Sequence, residues 1–598
     1  MAKSTPMTLL YRGEYQRVLE AFESRGARRP SRDLAVASVG ALSFLGRSEE
    51  ALALYRNHGT PWPARSRAEA LFFLCVNFAR AQNWAPAREA FASLRELSRE
   101  PAHRDSLIRF FYYQAAIFLR SAKSQFLSAT VFGRRAFDVA VRHHFLYGKI
   151  LSADLLGHAL IPLDQITEGL KHFRDAEASA RAMRASGLSQ AIRVSISLYE
   201  SHYGRRHTAQ EMIAELEAQI RTLSLKDSYS LINLHLELAR AFTLAGDYRG
   251  AEDTLREVFE LIYRFNNPRQ ETIYKLRLAE LEYRRGNFHA ALERVLDIKR
   301  WSGVTKNPSL WAQTLGMEIK VQKSLGLGAL AETTQRQLRE LGPRFPSRVH
   351  QRIVARADGH AATASVSSAD RIAALLAPDM DPEQILRSGY HGLLATRLGF
   401  EAGCERLLWG LSGDSLTVFA REGVLHIDRV RSQKSRQILE ALSRGSLSKA
   451  DLVRKVWGYE YHPLRHDPVL YAAIAQTRKL LGVAGDWIEN HENTYALKSS
   501  VLITAHRTRP APATPRAAAI LRTQDADENL NHRQILFLRH LTEGDFVSVQ
   551  AYQRRYRVAR NTATRDLRAM EYRNLLVAVG KGPARRYTRY TKRVSPES

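Results

Sequence analysis

The first 340 residues follow one hydrophobic pattern, in which apolar side chains recur every three or four positions between charged ones. This period places the apolar residues on one face of an α-helix, so the pattern predicts helix after helix. Short polar turns interrupt it at Gly13, Gly46, Asn83, Gly246 and Gly286. Successive turns in this series stand roughly 33 to 40 residues apart where they are clearest, which is the period of paired-helix repeats.

Aromatic and small residues flank these turns. The glycines permit the positive φ that closes a helix, and Tyr15, Trp84, Tyr248 and Phe288 follow the turns, where they are expected to fill the space between hairpins. A single hairpin leaves an apolar face uncovered, so neighbouring hairpins must stack. These residues resemble tetratricopeptide repeats. The resemblance implies a repeat arm, residues 1–340, that binds a peptide or protein partner or a second copy of the chain.

The resemblance is not uniform along the arm, being closest near 230–300 and weakest between about 110 and 220. Beyond the arm, two polar segments separate smaller modules. Residues 341–412 are predicted as a linker with short helices, because small and polar residues dominate their first half. Residues 504–528, rich in proline and alanine, are predicted as a second linker.

The first module spans residues 413–503. Residues 415–428 alternate as a β-hairpin does, and an amphipathic helix with Ile438 on its apolar face follows. Ser448 is a predicted helix N-cap. A longer helix is predicted over 467–481, and residues 487–497 are predicted as a second hairpin.

This order of elements is that of a winged helix. The stretch ending in Trp457, the helix around Arg478 and the closing residues 495–497 resemble the effector domain of OmpR/PhoB-type response regulators. The resemblance implies that helix 467–481 enters the major groove of DNA. Helical spacing directs Leu470, Ile474, Thr477 and Leu481 inward, and the expected DNA-facing residues are Tyr471, Gln476, Arg478 and Lys479.

The predicted wing of this module departs from that family. Its tip carries Glu489 and Glu492, whereas family members have basic and glycine residues there. Carboxylates beside phosphates are unfavourable. Two interpretations therefore stay open, one in which the module binds DNA and one in which it mediates protein contacts.

The second module spans residues 529–593 and carries the stronger signal. Helical patterns are followed by two strand-like runs around a Gly-Lys-Gly-Pro turn. The string from Val558 to Leu567 and the basic wing resemble DeoR-type winged helices and the C-terminal winged helix of Fic-family proteins. The Fic His-Pro-Phe signature does not occur in the sequence, so adenylylation is not implied.

The third helix of this module supplies most of the predicted DNA contacts, because its first turn offers free N–H groups and hydroxyls to a phosphate. The predicted set on this helix is Arg560, Asn561, Thr562, Thr564, Arg565 and Arg568. In the wing the predicted set is Lys581, Arg585 and Arg586. Asp566 is expected to brace Arg565 or another arginine.

Composition adds a charge argument. The 598 residues carry a formal charge of +28, which favours a polyanionic partner. Two cysteines cannot build a disulfide framework or a zinc site, and the apolar runs are too short to cross a bilayer. The sequence therefore predicts a cytoplasmic protein without a membrane anchor.

The sequence offers no pattern that assembles an active site. Gly580-Lys581-Gly582 lacks the rest of a phosphate-binding loop, and the twenty histidines are scattered. We expect neither catalysis nor a cofactor or metal. The expected fold is mainly α, a tetratricopeptide-like α-solenoid followed by two α+β winged-helix domains. The expected function is transcription regulation on double-stranded DNA, with a homodimer as one possible assembly; a protein-interaction scaffold and RNA binding are the alternatives.

Overall fold

We describe the fold from a computed structural model of the chain. The structure describes residues 5–24, 30–57, 61–81, 83–103, 106–203, 208–223, 228–265, 268–301, 307–342, 351, 353–355, 368–377, 380–400, 404–411, 415–505, 534, 537–538, 541–542, 545–556, 558–572, 575–580 and 585–589. It is mainly α-helical, as the sequence predicts, with small β-sheets confined to its C-terminal part.

The chain forms two compact units. The first consists of Met1–Phe242, Gly250–Tyr283 and Phe288–Ala377. The second consists of Thr243–Arg249, Arg284–Asn287 and Pro378–Ser598. Each unit is described by itself below.

The N-terminal helices pack mainly against their neighbours in the chain, as the helices of a solenoid do. Their bounds are α1 Pro6–Tyr11, α2 Tyr15–Glu23, α3 Arg32–Phe44, α4 Ser48–Arg56, α5 Ala64–Arg80, α6 Trp84–Arg99, α7 Leu107–Ala122, α8 Phe126–Arg142, α9 Leu146–Leu160, α10 Ile166–Ala182, α11 Ser186–Tyr203, α12 Ala209–Thr222, α13 Ser228–Ala245, α14 Tyr248–Phe265, α15 Pro268–Arg284, α16 Phe288–Arg300, α17 Pro308–Ser324, α18 Gly328–Glu340 and α19 Ser368–Leu375.

The glycine turns adopt the predicted backbone. Gly46, Gly246 and Gly286 have φ values of 78°, 86° and 82°. Only a residue without a Cβ takes this left-handed conformation at little cost. The helices that follow two of these turns begin at an aromatic residue, Tyr248 in one case and Phe288 in the other.

The region in which the repeat resemblance is weakest is also built of stacked helices. Its turns lie at Ser124, His144, Asp164 and Arg184, each twenty positions from the next and each with positive φ. These are not glycines, so the turns left no glycine signal in the sequence. The helical stack therefore continues through 110–220 without the residues that mark it elsewhere.

Aromatic and aliphatic side chains form the interior of the first unit. The ring of Tyr15 stacks on Phe44 with centroids 4.8 Å apart, and Phe44 meets Phe73 edge-on at 5.6 Å. Phe110 and Phe111 are fully buried in the same cluster. Residues far apart in the sequence thus share one core, as stacking of hairpins requires.

The second unit combines short helices with strands. Its helices are α20 Pro382–Ser388, α21 Leu394–Arg397, α22 Gln433–Leu442, α23 Lys449–Trp457, α24 Pro463–Leu481, α25 Val549–Tyr556 and α26 Arg560–Tyr572. Its strands are β1 Arg406–Trp409, β2 Leu416–Phe419, β3 Val424–Ile427, β4 Leu447–Ser448, β5 Ile488–His491, β6 Thr494–Leu497, β7 Leu502–Ala505, β8 Val547–Ser548, β9 Leu576–Val579 and β10 Arg586–Arg589.

These strands form three sheets. One has four strands in the order β3-β2-β1-β7, in which β1 runs antiparallel to β2 and parallel to β7. The other two have three strands each, in the orders β4-β6-β5 and β8-β10-β9. The hairpins predicted within 415–428, within 487–497 and after residue 575 are all present as antiparallel pairs.

Two details of the sequence prediction are wrong. Residues 406–409, placed among short helices, form strand β1, whose parallel partner β7 lies far along the chain. A four-residue strand with so distant a partner leaves no local pattern. Helix α24 begins at Pro463, earlier than the predicted residue 467, because proline suits a first helical turn, and it continues through Pro468.

Candidate nucleic-acid interface

Helix α26 has one buried and one exposed side. The buried side consists of Ala563, Asp566, Leu567 and Met570. The opposite side lines a shallow, open depression with Asn561, Thr564, Arg565, Arg568, Ala569 and Tyr572. The three-and-four spacing of both sets follows from the helical period, so the buried stripe itself directs the polar residues outward.

The interior contacts fix how this helix is oriented. Leu567 and Met570 share a core with Phe537 and Tyr552. The Tyr552 hydroxyl donates to Asp566 Oδ2 at 3.3 Å, and Gln534 Nε2 donates to the Asp566 carbonyl oxygen at 3.0 Å. Asp566 thus faces the interior, whereas Arg565 lies on the exposed side of the helix.

Three arginines on α26 are exposed. Arg560, Arg565 and Arg568 have no carboxylate of the described residues within the 4.0 Å ion-pair distance. Asn561 is exposed beside them, while Thr562 and Thr564 are partly buried. This side of the helix therefore presents several hydrogen-bond donors and a positive charge that no acid in the described part of the chain neutralises.

The predicted wing residues differ in how exposed they are and in whether their charge is paired. Arg585 Nη2 lies 2.7 Å from Glu571 on α26, so its charge is already paired. Arg586 is only 7% exposed, and burial lowers its pKa. Arg586 therefore faces the interior, contrary to its predicted place on the DNA-facing surface. Lys581 lies outside the described residues.

Tyr572 is a surface residue that the sequence analysis missed. Its side chain is 90% exposed, at the end of α26, and it lines the same depression as Arg565 and Arg568. It follows Arg568 by four positions, which puts both on one helix face. Extending the spacing of the polar residues by one more turn would have identified it.

Helix α24 in the first module has the predicted inward face, since Leu470, Ile474, Thr477 and Leu481 are buried. Gln476 and Lys479 are exposed, as expected. Arg478 is partly buried and its Nη2 donates to the Ile488 carbonyl oxygen at 2.7 Å. That arginine ties the helix to the β5–β6 hairpin, so it is not among the fully exposed residues.

Tyr471 on α24 belongs to a polar cluster around Asp467. Its hydroxyl donates to Asp467 Oδ2 at 3.1 Å and accepts a bond of 2.5 Å from Lys449 Nζ. The Tyr461 hydroxyl binds the other Asp467 oxygen at 2.5 Å, and this bond lowers the pKa of the Asp467 carboxyl. The exposed Tyr471 ring is thus held in place by its own module.

The tip of the β5–β6 hairpin keeps its acidic character. Glu492 is exposed with φ of 57°, and Glu489 pairs with His491 at 3.2 Å. Exposed apolar side chains lie at the start of α24, where Leu464 is 87% and Val469 50% exposed. The first module therefore presents a mixed surface, in contrast to the basic face of α26.

Several contacts join the two modules within the second unit. Leu502 of β7 belongs to the core that holds α25 and α26. Ile503 forms a β-bridge with Phe546, and the Ser548 hydroxyl donates to the Ser499 carbonyl oxygen at 2.7 Å. The modules are therefore packed together rather than only tethered by the chain.

The chain matches no known family model and no curated protein. Among the described residues, no group of three or more histidine, cysteine, aspartate or glutamate side chains is placed to hold a metal ion. None of the described helices has both the length and the apolar composition that crossing a bilayer requires.

Proposed function

We propose that this chain is a DNA-binding transcription regulator in which α26 is the reading helix of a winged-helix module. The succession of β8, α25, α26 and the β9–β10 hairpin supports this proposal, because a winged helix has the same order of elements after its first helix, with the hairpin as its wing. The observation that carries the proposal is the exposed face of α26, where Arg560, Arg565 and Arg568 are not neutralised by described acids.

The side chains on that face suit the chemistry of a duplex. Arginine can bind guanine through two parallel hydrogen bonds, and asparagine can bind adenine in the same way. In this proposal Arg565 and Arg568 contact bases or phosphates, and Asn561 lies near the first helical turn, where exposed N–H groups attract a phosphate. RNA duplexes have a deep, narrow major groove that side chains cannot read, so DNA is favoured.

We also propose that the first module, residues 413–503, is a winged helix. It is packed against the second module, residues 529–593, and so has a fixed position next to it. Gln476 and Lys479 of α24 are its DNA-facing candidates. Its acidic hairpin tip and the exposed Leu464 and Val469 favour a different role, docking of a protein partner. A protein-docking function for this module is therefore the second candidate.

The helical repeats complete the proposal. Stacked hairpins offer an extended surface for a peptide, a protein or a second copy of the chain. In the proposed regulator, such a partner governs how tightly the second unit binds DNA, and the protein acts in the cytoplasm.

Fluorescence anisotropy of the full-length protein with labelled random-sequence duplex DNA tests this function. We expect affinity to fall steeply as salt rises, because phosphate contacts release counterions. Arg565→Ala and Arg568→Ala should each weaken binding by about tenfold, with the larger loss at Arg565. The matched control is Arg135→Ala, which removes an exposed arginine of α8. Equal affinity of all four proteins would refute the assignment of α26, and preference for duplex RNA would refute DNA as the partner.

A further inference from the structure

Helix α14 of the first unit carries large aromatic side chains on its exposed side. Phe259 is 46% exposed and Tyr263 is 77% exposed. Their ring centroids lie 6.5 Å apart, and the Phe259 ring also contacts Tyr274 of α15, with centroids 5.6 Å apart. Exposed rings that cluster in this way are typical of a surface that binds a partner, because apolar surface gains free energy when it leaves water.

Charged residues of both signs surround these rings. The exposed residues recur every three or four positions, which places them on one side of the helix, opposite the buried Leu255 and Val258. Glu257 is exposed as well, but it lies toward His235 of α13, at the edge of this side. The exposed side, called the α14 face below, consists of Asp253, Arg256, Phe259, Glu260, Tyr263 and Arg264.

The charges of the α14 face are only weakly engaged within the first unit. Glu260 and Arg264 have no oppositely charged group of the described residues within 4.0 Å. Arg256 lies 2.9 Å from Asp253 and 3.5 Å from Glu252, and all three side chains are well exposed. Exposed pairs of this kind contribute little to stability, so Arg256 can exchange them for a partner outside its own helix.

The signs of these charges alternate along the helix. From the N-terminal to the C-terminal end they are negative, positive, negative and positive, at Asp253, Arg256, Glu260 and Arg264. In the opposite direction the order is positive, negative, positive and negative. The α14 face is therefore complementary to itself when two copies of the helix run antiparallel, whereas parallel copies would place like charges together.

We propose that two copies of the chain form a homodimer through the α14 face, with the two helices antiparallel about a two-fold axis close to Phe259. Such an axis brings together positions at equal distances on either side of it. Arg256 then meets Glu260 of the partner subunit. Arg264 likewise meets the partner's Asp253. The members of each pair lie on one side of the helix, as contact requires, because four positions are about one helical turn and eleven are about three.

The composition of the α14 face favours this partner over others. Phosphates would repel the carboxylates of Asp253 and Glu260, which disfavours a nucleic acid or an anionic membrane surface. In a two-fold contact each ion pair occurs twice, around a centre formed by the aromatic rings. The inference goes beyond the proposed function and does not rest on DNA binding, because it concerns the first unit alone.

Sedimentation velocity of the full-length protein without DNA tests this interface. We expect a concentration-dependent equilibrium between monomer and dimer. Phe259→Ser/Tyr263→Ser should weaken association by at least about tenfold, because aromatic residues at the centre of an interface carry much of its binding energy. The matched control is Leu127→Ser/Val131→Ser, which changes an exposed apolar pair with the same spacing on α8 and should leave association unchanged. A wild type that stays monomeric, or equal association of the two double variants, would overturn the proposal.

Charge reversal tests the antiparallel pairing. Arg256→Glu and Glu260→Arg should each weaken self-association by at least about tenfold, because each change places like charges opposite one another on both sides of the axis. Mixed in equal amounts, the two variants should form a heterodimer about as tight as the wild-type dimer, since each altered charge then meets an opposite one. Both changes are at exposed positions, and circular dichroism checks that each variant folds. Unchanged self-association of the single variants, or no gain on mixing, would overturn the antiparallel arrangement.

Discussion

Arg406 and Asp545 form a salt bridge that is almost completely enclosed by the second unit. Nη1 of Arg406 lies 2.8 Å from Oδ1 of Asp545, and the two side chains are 1% and 0% exposed. The Thr504 hydroxyl also binds the Asp545 carboxylate, and the Phe400 ring lies 3.9 Å from the Arg406 guanidinium carbon. One ion pair thus connects strands β1 and β7 to the segment before β8, and so fixes α24 and α26 relative to each other.

Arg406→Met should destabilise the second unit strongly. Removing one partner leaves the Asp545 charge buried without its cation, a change that typically costs about 3–5 kcal/mol. Hydrogen exchange of the amides in β1 and β7 measures the local free energy of opening. The double variant Arg406→Met/Asp545→Leu should recover part of the loss, because neither charge then remains buried.

The control for this prediction is an exposed pair in the same unit. Arg436 and Glu440 lie 2.8 Å apart on α22 with side chains 41% and 47% exposed. Arg436→Met should change the free energy of unfolding by less than about 1 kcal/mol, as exposed pairs usually do. Equal effects of Arg406→Met and Arg436→Met would show that the enclosed pair does not hold the modules together.

Tyr572→Ala should weaken DNA binding by about threefold to tenfold without changing its salt dependence. The exposed ring offers a stacking or apolar contact beside the arginines, and such contacts carry no charge. Tyr572→Phe keeps the ring and should bind as the wild type does. Anisotropy titrations at several salt concentrations separate the two quantities, and a flatter salt dependence in Tyr572→Ala would contradict this role.

The sequence predicts those parts of the fold that depend on local rules. Gly46, Gly246 and Gly286 marked helix ends because positive φ favours glycine. Ser124 and Arg184 occupy the same kind of turn without glycine, so these hairpins could not be recognised. Strand β1 was missed because its pairing with β7 depends on contacts distant in sequence.

In the candidate site, too, the features set by local helical spacing could be predicted and those set by packing could not. Helical spacing was sufficient to place Arg565 and Arg568 on the exposed face of α26, because the apolar stripe of that helix is regular. It was not sufficient for Arg586, which is only 7% exposed, because the burial of a strand residue depends on the elements that pack around it. Nor could sequence show that Arg478 donates to the backbone at Ile488, since that contact depends on how the hairpin packs.

Glu69→Gln should remove a pH dependence from the stability of the first unit. Burial raises the pKa of the Glu69 carboxyl from 4.5 to about 7, and the Tyr11 hydroxyl donates to it at 2.7 Å. A raised pKa means that the fold prefers the protonated acid, so its contribution is complete below pH 4.5 and is lost as pH rises through about 7. Glutamine stays neutral and can still accept from Tyr11.

Above neutral pH the Glu69→Gln protein should therefore be more stable than the wild type, by up to about 3 kcal/mol in the free energy of unfolding. Hydrogen exchange of the α5 amides on both sides of neutrality measures this difference. The control is Glu49→Gln, which changes an exposed carboxylate on α4. Parallel pH profiles for the wild type and Glu69→Gln would mean that Glu69 does not titrate in the folded protein.

Glu571→Gln should strengthen DNA binding, because it releases the guanidinium of Arg585. Both carboxylate oxygens of Glu571 now accept from Arg585 Nη2 at 2.7 Å, and the two side chains are partly exposed. In the wild type the two opposite charges cancel, so this pair adds no net positive charge to the surface beside α26. Substitution by glutamine leaves the arginine free to reach a phosphate, so the number of phosphate contacts should rise by one.

The expected signature is a steeper salt dependence, with the slope of log affinity against log salt more negative by about 0.9. Arg585→Ala in the wild-type background should weaken binding less than Arg565→Ala does, because it only leaves the Glu571 carboxylate without its cation, whereas in the Glu571→Gln background it should abolish the gain. Anisotropy titrations of the four proteins complete this cycle. If Arg585→Ala alone weakens binding as much as Arg565→Ala does, the wing arginine leaves Glu571 when DNA binds and contacts the duplex directly.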